Sequence, residues 1–293
     1  MGMYPVLVAG ERKAELAGVC ALAVMAKAPR AGKVKTRLAP VLGFEGSAAI
    51  NVCFLRDTTR NIAEIGAGTA MMRAEWQANI PEAREGTPAS EVRNSRVRDS
   101  RVRDSKVAGV GGAAQGLVCY TPVGDEVAFD GLLPEDFALI AQRGDAFGER
   151  LLAAAEDILS CGFGAICLID SDSPTMPAAA LRQAVEELAR PGDRVVLGGS
   201  DDGGYYLIGL KQAHATPFER ITWSTASVYA ETAERCKEAG LELVELPVWY
   251  DVDDAATLAV LEAELLRGER PGFAAIDGYD ATATRAFLAE RAR

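Results

Sequence analysis

Five cations crowd the eleven residues of KAPRAGKVKTR: Lys27, Arg30, Lys33, Lys35 and Arg37. They follow directly on an apolar run, VCALAVMA (19–26), that reads as a continuous buried strand. The chain as a whole has a net charge of −11, so the cluster runs against the general composition. Lysines and arginines on a loop at a strand end, with Pro29 and Gly32 shaping its backbone, suit the neutralisation of a phosphate or pyrophosphate. The competing reading is a solvated run of charge, and the position behind a buried strand weighs against it. The loop is not a Walker P-loop. Gly32-Lys33 is present, but Lys27 stands where the first glycine belongs and Val34 where Ser or Thr must follow.

Acidic residues mark three further places. LIDSDSP puts Asp170 and Asp172 directly after the apolar run AICLI (165–169). Two carboxylates spaced i, i+2 fall on one side if the strand geometry continues, and together they can share a hard cation such as Mg2+ or Mn2+. Such an ion would bridge phosphates and stabilise a departing diphosphate. The plainer role is a turn ahead of Pro174. In SDDGGYYLIGL, Gly203 and Gly204 either let backbone approach a ligand or make a turn. Asp202 and Tyr205 flank them, and Asp202 is placed to orient an acceptor or act as a base. In WYDVDDAATL, Asp251 and Asp253 precede a helix, so Asp253 is either a second metal ligand or a helix N-cap.

Composition removes several alternatives. His214 is the only histidine of the 293 residues and lies in the polar stretch KQAHATPF, so histidine-based triads and multi-histidine metal sites drop out. Acid–base chemistry then falls to carboxylates. The six cysteines form no CxxC pair and mostly sit in apolar runs, as free thiols of a reducing cytoplasm do. Net acidity argues against nucleic acid as a partner. No apolar run approaches the roughly 18 residues of a membrane span, and the N-terminus lacks the pattern of a signal peptide. A cytoplasmic location is the expectation.

The elements that must position these residues are legible in outline. Strands are expected at 19–26, 117–122, 165–169, 195–199, 203–210 and 241–247. Helices are expected from Ser47 as cap to about Ile65, over 147–161, 178–190, 225–239 and 254–266, with a short C-terminal one from about Ala281. Apolar strands alternating with helices indicate an α/β fold: a mostly parallel sheet covered on both faces, with ligands at the carboxyl ends of strands. The expected organisation is an N-terminal extension (1–18), a nucleotide-binding domain (19–268) and a C-terminal tail packed on it (269–293). Residues 81–116 hold the tandem RVRDS-RVRDS and few apolar anchors, and read as a disordered insertion. Gly109, Gly111 and Ala114 match GxGxxA there, but without the strand before and helix after that a dinucleotide fingerprint requires.

Taken together, KAPRAGKVKTRLAP, FLRDT (54–58), YTP (120–122), FGERL (147–151), DSDSP (170–174), DGGYYLIGL (202–210), ITWST (221–225) and DVD (251–253) resemble a bacterial family. It comprises the GT-A-fold nucleotide-diphospho-sugar transferases also described as arsenosugar-biosynthesis or radical-SAM/selenodomain-associated glycosyltransferases. The resemblance spans about residues 20 to 290 apart from the 70–116 tract. It implies a Rossmann-like three-layer α/β/α fold, a nucleotide-sugar donor, a small-molecule acceptor and a divalent cation, and leaves oligomeric state open. By position, Lys27, Lys33, Lys35 and Arg37, with Gly32, would lie by the donor phosphates, Asp172 would be the main metal ligand and Asp253 a second. Three positions depart from the family pattern: Asp170 replaces a common glycine, Ser173 a frequent cysteine, and Thr257 the last acid of the DVD tail. The same fold serves guanylyltransferase-like nucleotidyltransferases, which release pyrophosphate, and that reading stays open beside glycosyl transfer. A non-catalytic nucleotide-binding protein is a third.

Overall fold

The computed structural model describes residues 2–78 and 112–293, with the side chains of 67–78 outside that description. The RVRDS repeat, Gly109 and Gly111 lie outside the described residues.

The apolar run behind the basic loop forms β1 (Val19–Lys27), an interior strand of the seven-stranded sheet seen among the described residues. Its pleat sends Leu22, Val24 and Ala26 into one packed layer and Ala21 and Ala23 into the other, the period of two expected of a strand covered on both faces. Next comes α1 (Ala39–Ala78), followed by β2 (Ala113–Thr121), β3 (Ala138–Ala141), α2 (Phe147–Ser160), β4 (Ala165–Ile169), α3 (Ala178–Ala189), β5 (Arg194–Ser200), β6 (Tyr205–Leu210), α4 (Val228–Glu238), β7 (Glu242–Trp249), α5 (Ala255–Arg267) and α6 (Thr282–Arg291).

The strand order is β3-β2-β1-β4-β6-β5-β7. Every pairing is parallel except those of β6, which runs against both β4 and β5. The cause is the connection: residues 201–204 can close a hairpin, whereas a parallel return needs a long crossover. As a result, the start of β6 lies on the same sheet edge as the carboxyl ends of its neighbours. Side chains of α1, α3, α5 and α6 fill one layer and those of α2 and α4 the other, which completes the three-layer α/β architecture.

Several boundaries differ from expectation. Ser47 does not cap a helix: α1 begins at Ala39, bends at Gly43 (φ 70°, ψ 170°) and buries Ser47 within it. Ala113–Gly116 belong to β2 rather than to the insertion. The four residues of β3 were too short to register as a pattern. The stretch Thr36–Gly66 is long and apolar enough to cross a membrane by length and composition, although Arg56, Asp57 and Arg60 interrupt it as a sequence. Within the fold, its Ile50, Phe54, Leu55, Ile62 and Ile65 press onto the sheet.

The N-terminal residues run beside β3, where Val6 bridges Leu139. At the other end, Asp57 of FLRDT accepts bonds from Ala283 N (3.0 Å), Thr284 N (2.7 Å) and Thr284 Oγ1 (2.6 Å). Those are donors at the start of α6 that its own turns leave unpaired, so this motif docks the C-terminal helix onto α1.

Candidate functional site

The basic loop is anchored at both ends. Ala28 N donates to Thr121 O at the end of β2 (2.8 Å), Lys33 N to Arg30 O (2.9 Å), and Leu38 is fully buried beyond it. Between these anchors the chain turns through Gly32 (φ 70°) and Lys35 (φ 46°, ψ 41°). The left-handed conformation is disfavoured for a residue with a Cβ, so Lys35 needs compensating contacts. It has them. Its Nζ donates to Val252 O (2.7 Å) and lies 2.9 Å from Asp172 Oδ1 and 3.0 Å from Asp253 Oδ1. An ammonium has three donors, and three partners take them. The side chain is 4% exposed and its head sits 5.8 Å from the Phe54 ring centroid. Burial pulls the Lys35 pKa down, but Asp172 and Asp253 outweigh it and leave the pKa raised, so the charge is kept.

A pocket of about 250 Å³ opens beside this ion triplet. Lys27, Lys33 and Arg37 line it on the loop side, Asp172 and Asp253 on the sheet side, and Asn51 of α1 at its floor. Lys27 and Lys33 are exposed and have no ion-pair partner among the described residues. Arg37 reaches Asp253 Oδ2 at 3.4 Å while remaining 74% exposed. Asn51, which the sequence analysis did not single out, is 6% exposed. Its signal was a polar residue amid the buried positions Ile50 and Phe54, where an amide is uncommon without a purpose.

The acidic positions separate by role. Asp170 folds back on its own turn: Oδ1 accepts from Asp172 N and Ser173 N (both 3.2 Å), and Oδ2 from Ser173 Oγ (2.8 Å). Two departures from the family pattern, Asp170 and Ser173, are thus bonded to each other. Burial, then Asp172 and Asp251, push the Asp170 pKa well up. The strand stops at Ile169, so the i, i+2 pair does not share a side. Asp172 instead faces Asp253, held there by Val252 N donating to Asp172 O (2.9 Å). The cap of α5 is Asp254, accepting from Ala256 N and Thr257 N (2.9 and 3.0 Å), so the Asp253 carboxylate is not drawn into the cap and pairs with Lys35 and Arg37 at the pocket. Thr257 completes that cap by accepting from Asp254 N (3.1 Å), and it accepts from Asp253 N as well (2.9 Å).

Asp202 is exposed and closes the hairpin turn by accepting from Gly204 N (2.8 Å). Gly203 (φ 91°) is required for backbone reasons, since a Cβ there would stand 2.1 Å from Ala226 O. Tyr205 points into the layer of α2 and α4, edge-on to Trp223 at 6.4 Å, with its hydroxyl buried; it does not join the carboxylates. Asp251, by contrast, does. It is half-buried, and burial with the charges of Asp202 and Asp253 lifts its pKa to about 7, Lys35 pulling the other way. His214 pairs with Asp193 (2.7 Å).

A Mg2+ or Mn2+ ion shared by Asp172 and Asp253, with or without Asp170, does not fit these donors. The point where Asp172 and Asp253 converge is taken by the Lys35 ammonium, and both Asp170 oxygens are used by the turn. Among the described residues, no group of three or more His, Cys, Asp or Glu side chains is arranged to hold a metal ion.

A family model described as an uncharacterized protein conserved in bacteria (DUF2064) matches residues 107–225. That span runs from before β2 through ITWST and takes in DSDSP and the Gly203 turn, but neither the basic loop nor Asp253. A solved structure from Desulfovibrio desulfuricans G20, provisionally described as a nucleotide-diphospho-sugar transferase, is 26% identical and superposes with a TM-score of 0.65 over 94% of this chain and 96% of that one. CMP:2-keto-3-deoxy-manno-octonic acid synthetase complexed with CTP is 10% identical, with a TM-score of 0.45 over 86% of this chain and 100% of the other. No curated protein matches the sequence. The three-layer α/β fold with its mostly parallel sheet is therefore shared with the Desulfovibrio protein along nearly the whole length of both chains.

Proposed function

We propose that this protein transfers a sugar from a nucleoside-diphosphate-sugar donor to a small-molecule acceptor. The observation that carries the reading is the gathering of Lys27, Lys33 and Arg37 around one pocket at the carboxyl edge of the parallel strands, where α/β sheets bind their ligands. These side chains would bind the donor diphosphate and offset the charge that builds on it as the sugar–oxygen bond breaks. Asn51 would hold the donor by an amide contact. The acceptor would enter from the Asp202 side of the pocket, where Asp202 orients it. Asp251, with a pKa near neutrality, is suited to take the hydroxyl proton. The description of the Desulfovibrio protein as a nucleotide-diphospho-sugar transferase supports the donor class.

The test is release of nucleoside diphosphate from a panel of sugar nucleotides, with a parallel assay for pyrophosphate release from nucleoside triphosphates in the presence of phosphorylated acceptors. Sugar-nucleotide turnover that falls at least tenfold in Lys33→Ala supports the proposal. Pyrophosphate release alone would assign a nucleotidyltransferase. Nucleotide binding without turnover in either assay would leave a non-catalytic binding protein.

A further inference from the structure

We infer that Lys35 is the resident cation of this site, its ammonium standing permanently where a metal ion bridging Asp172 and Asp253 would otherwise sit. Four observations carry this. All three ammonium donors are used, two of them on the carboxylates and one on Val252 O. The side chain is 4% exposed, so the ammonium is built into the site rather than swung in from solvent. The backbone at Lys35 holds a left-handed conformation that a non-glycine residue adopts only when its surroundings impose it. Finally, the Val252 N bond to Asp172 O ties the two aspartate-bearing segments together through the backbone, without an ion, and Lys35 supplies the cation between their carboxylates.

A divalent ion entering between the carboxylates would have to expel this ammonium. That would break three bonds and leave a buried lysine without its partners, the costly way to disrupt an ion pair. The remaining loop cations, Lys27, Lys33 and Arg37, stay turned to the pocket and available to an anionic ligand. The division of labour is internal: Lys35 offsets one of the two aspartate charges and Arg37 leans on Asp253 against the other, so that a diphosphate can approach and be bound by Lys27, Lys33 and Arg37. Recognition of the diphosphate then requires no ion shared between Asp172 and Asp253. This inference concerns the cation alone, and its test does not depend on the donor or the reaction proposed above.

The test is a Mn2+ titration of the full chain followed by electron paramagnetic resonance at pH 7.5, with and without inorganic pyrophosphate as the diphosphate probe. The proteins are wild type, Asp172→Asn, Lys35→Met and the Lys35→Met/Asp172→Asn double variant. Wild type and Asp172→Asn should give the same isotherm under both conditions. Lys35→Met should gain one Mn2+ site at least tenfold tighter than any in wild type, and the double variant should lose it. A wild-type site weakened tenfold or more by Asp172→Asn, with or without pyrophosphate, overturns the inference. So does a folded Lys35→Met that gains no site, because the carboxylates would then not be a cation site at all. Should Lys35→Met fail to fold, the wild type against Asp172→Asn decides between the same two outcomes.

Discussion

Two of the pockets among the described residues bring arginine or lysine beside carboxylate and are built differently. The larger, about 730 Å³, lies between α1 and the start of α6 and is lined by Arg56, Asp57 and Arg60. The smaller, about 250 Å³, lies at the strand ends around Lys27, Lys33 and Arg37. In the first, Asp57 spends its carboxylate on donors of α6, and Arg60 reaches Thr282 of the same helix. In the second, Asp172 and Asp253 share one buried lysine, yet remain 33% and 43% exposed toward the cavity. A carboxylate that joins two helices is used up by them. One that faces a ligand is held in place and left partly open. Volume alone would choose the larger pocket, whose Asp57 and Arg60 are engaged in docking the C-terminal helix.

The contrast is most easily broken at Asp57. Asp57→Ala strands three donors at the start of α6, two of them on the buried Thr284, and should destabilise the protein by about 2–4 kcal/mol in urea unfolding, with little effect on nucleotide binding once folded. Lys35→Met should cost less, about 1–2 kcal/mol, because its carboxylate partners are more than a third exposed or close to it and solvent screens them.

Asp251→Asn should have the opposite sign. The Asp251 pKa is about 7 in the fold against about 3.9 unfolded. Below about pH 4 both states are protonated and the residue makes no difference. From about pH 4 to 7 the folded state holds the extra proton, so stability falls as pH rises through that window and stays lower above it. The variant should therefore be more stable than wild type at pH 8, by roughly 1–2 kcal/mol after allowing for screening at a half-buried site, and equal to it near pH 4. Thermal melts across that range would read both. The smallest effect is expected at Arg30→Ala, where the pair with Asp125 (2.5 Å) has an exposed arginine and is worth at most about 0.5 kcal/mol.

Much of the fold was legible because apolar strands and amphipathic helices alternate along the chain. AICLI gave β4 to the residue, and Phe147 gave the start of α2. What misled was local chemistry that depends on partners. Ser47 looks like a cap because serine often is one, but the break falls at Gly43, where two helical pieces meet at a kink, and Ser47 lies inside the second. In DSDSP the turn role suits Asp170 better than Asp172 from sequence alone, and the structure makes Asp170 the turn-former and puts Asp172 on the pocket. Asp253 looked like the cap of α5 because the true cap, Asp254, is its neighbour. Lys35 could not be told from Lys33 by type or spacing. One is buried and paired while the other faces the pocket, and that depends on a left-handed residue and on a segment more than two hundred residues away. Asn51 and Asp251 were missed or left without a role for the same reason: burial and neighbouring charge give them their significance.

The central claim is that the strand-end pocket, and not the larger one, receives the nucleotide. Calorimetric titration with nucleoside diphosphates tests it most directly, using wild type, Lys27→Ala/Lys33→Ala and Arg56→Ala/Arg60→Ala. The account predicts binding of one nucleotide by wild type, a loss of tenfold or more in the first double variant, which corresponds to at least about 1.4 kcal/mol, and unchanged affinity in the second. Affinity that survives the lysine changes and falls with the arginine changes would contradict it.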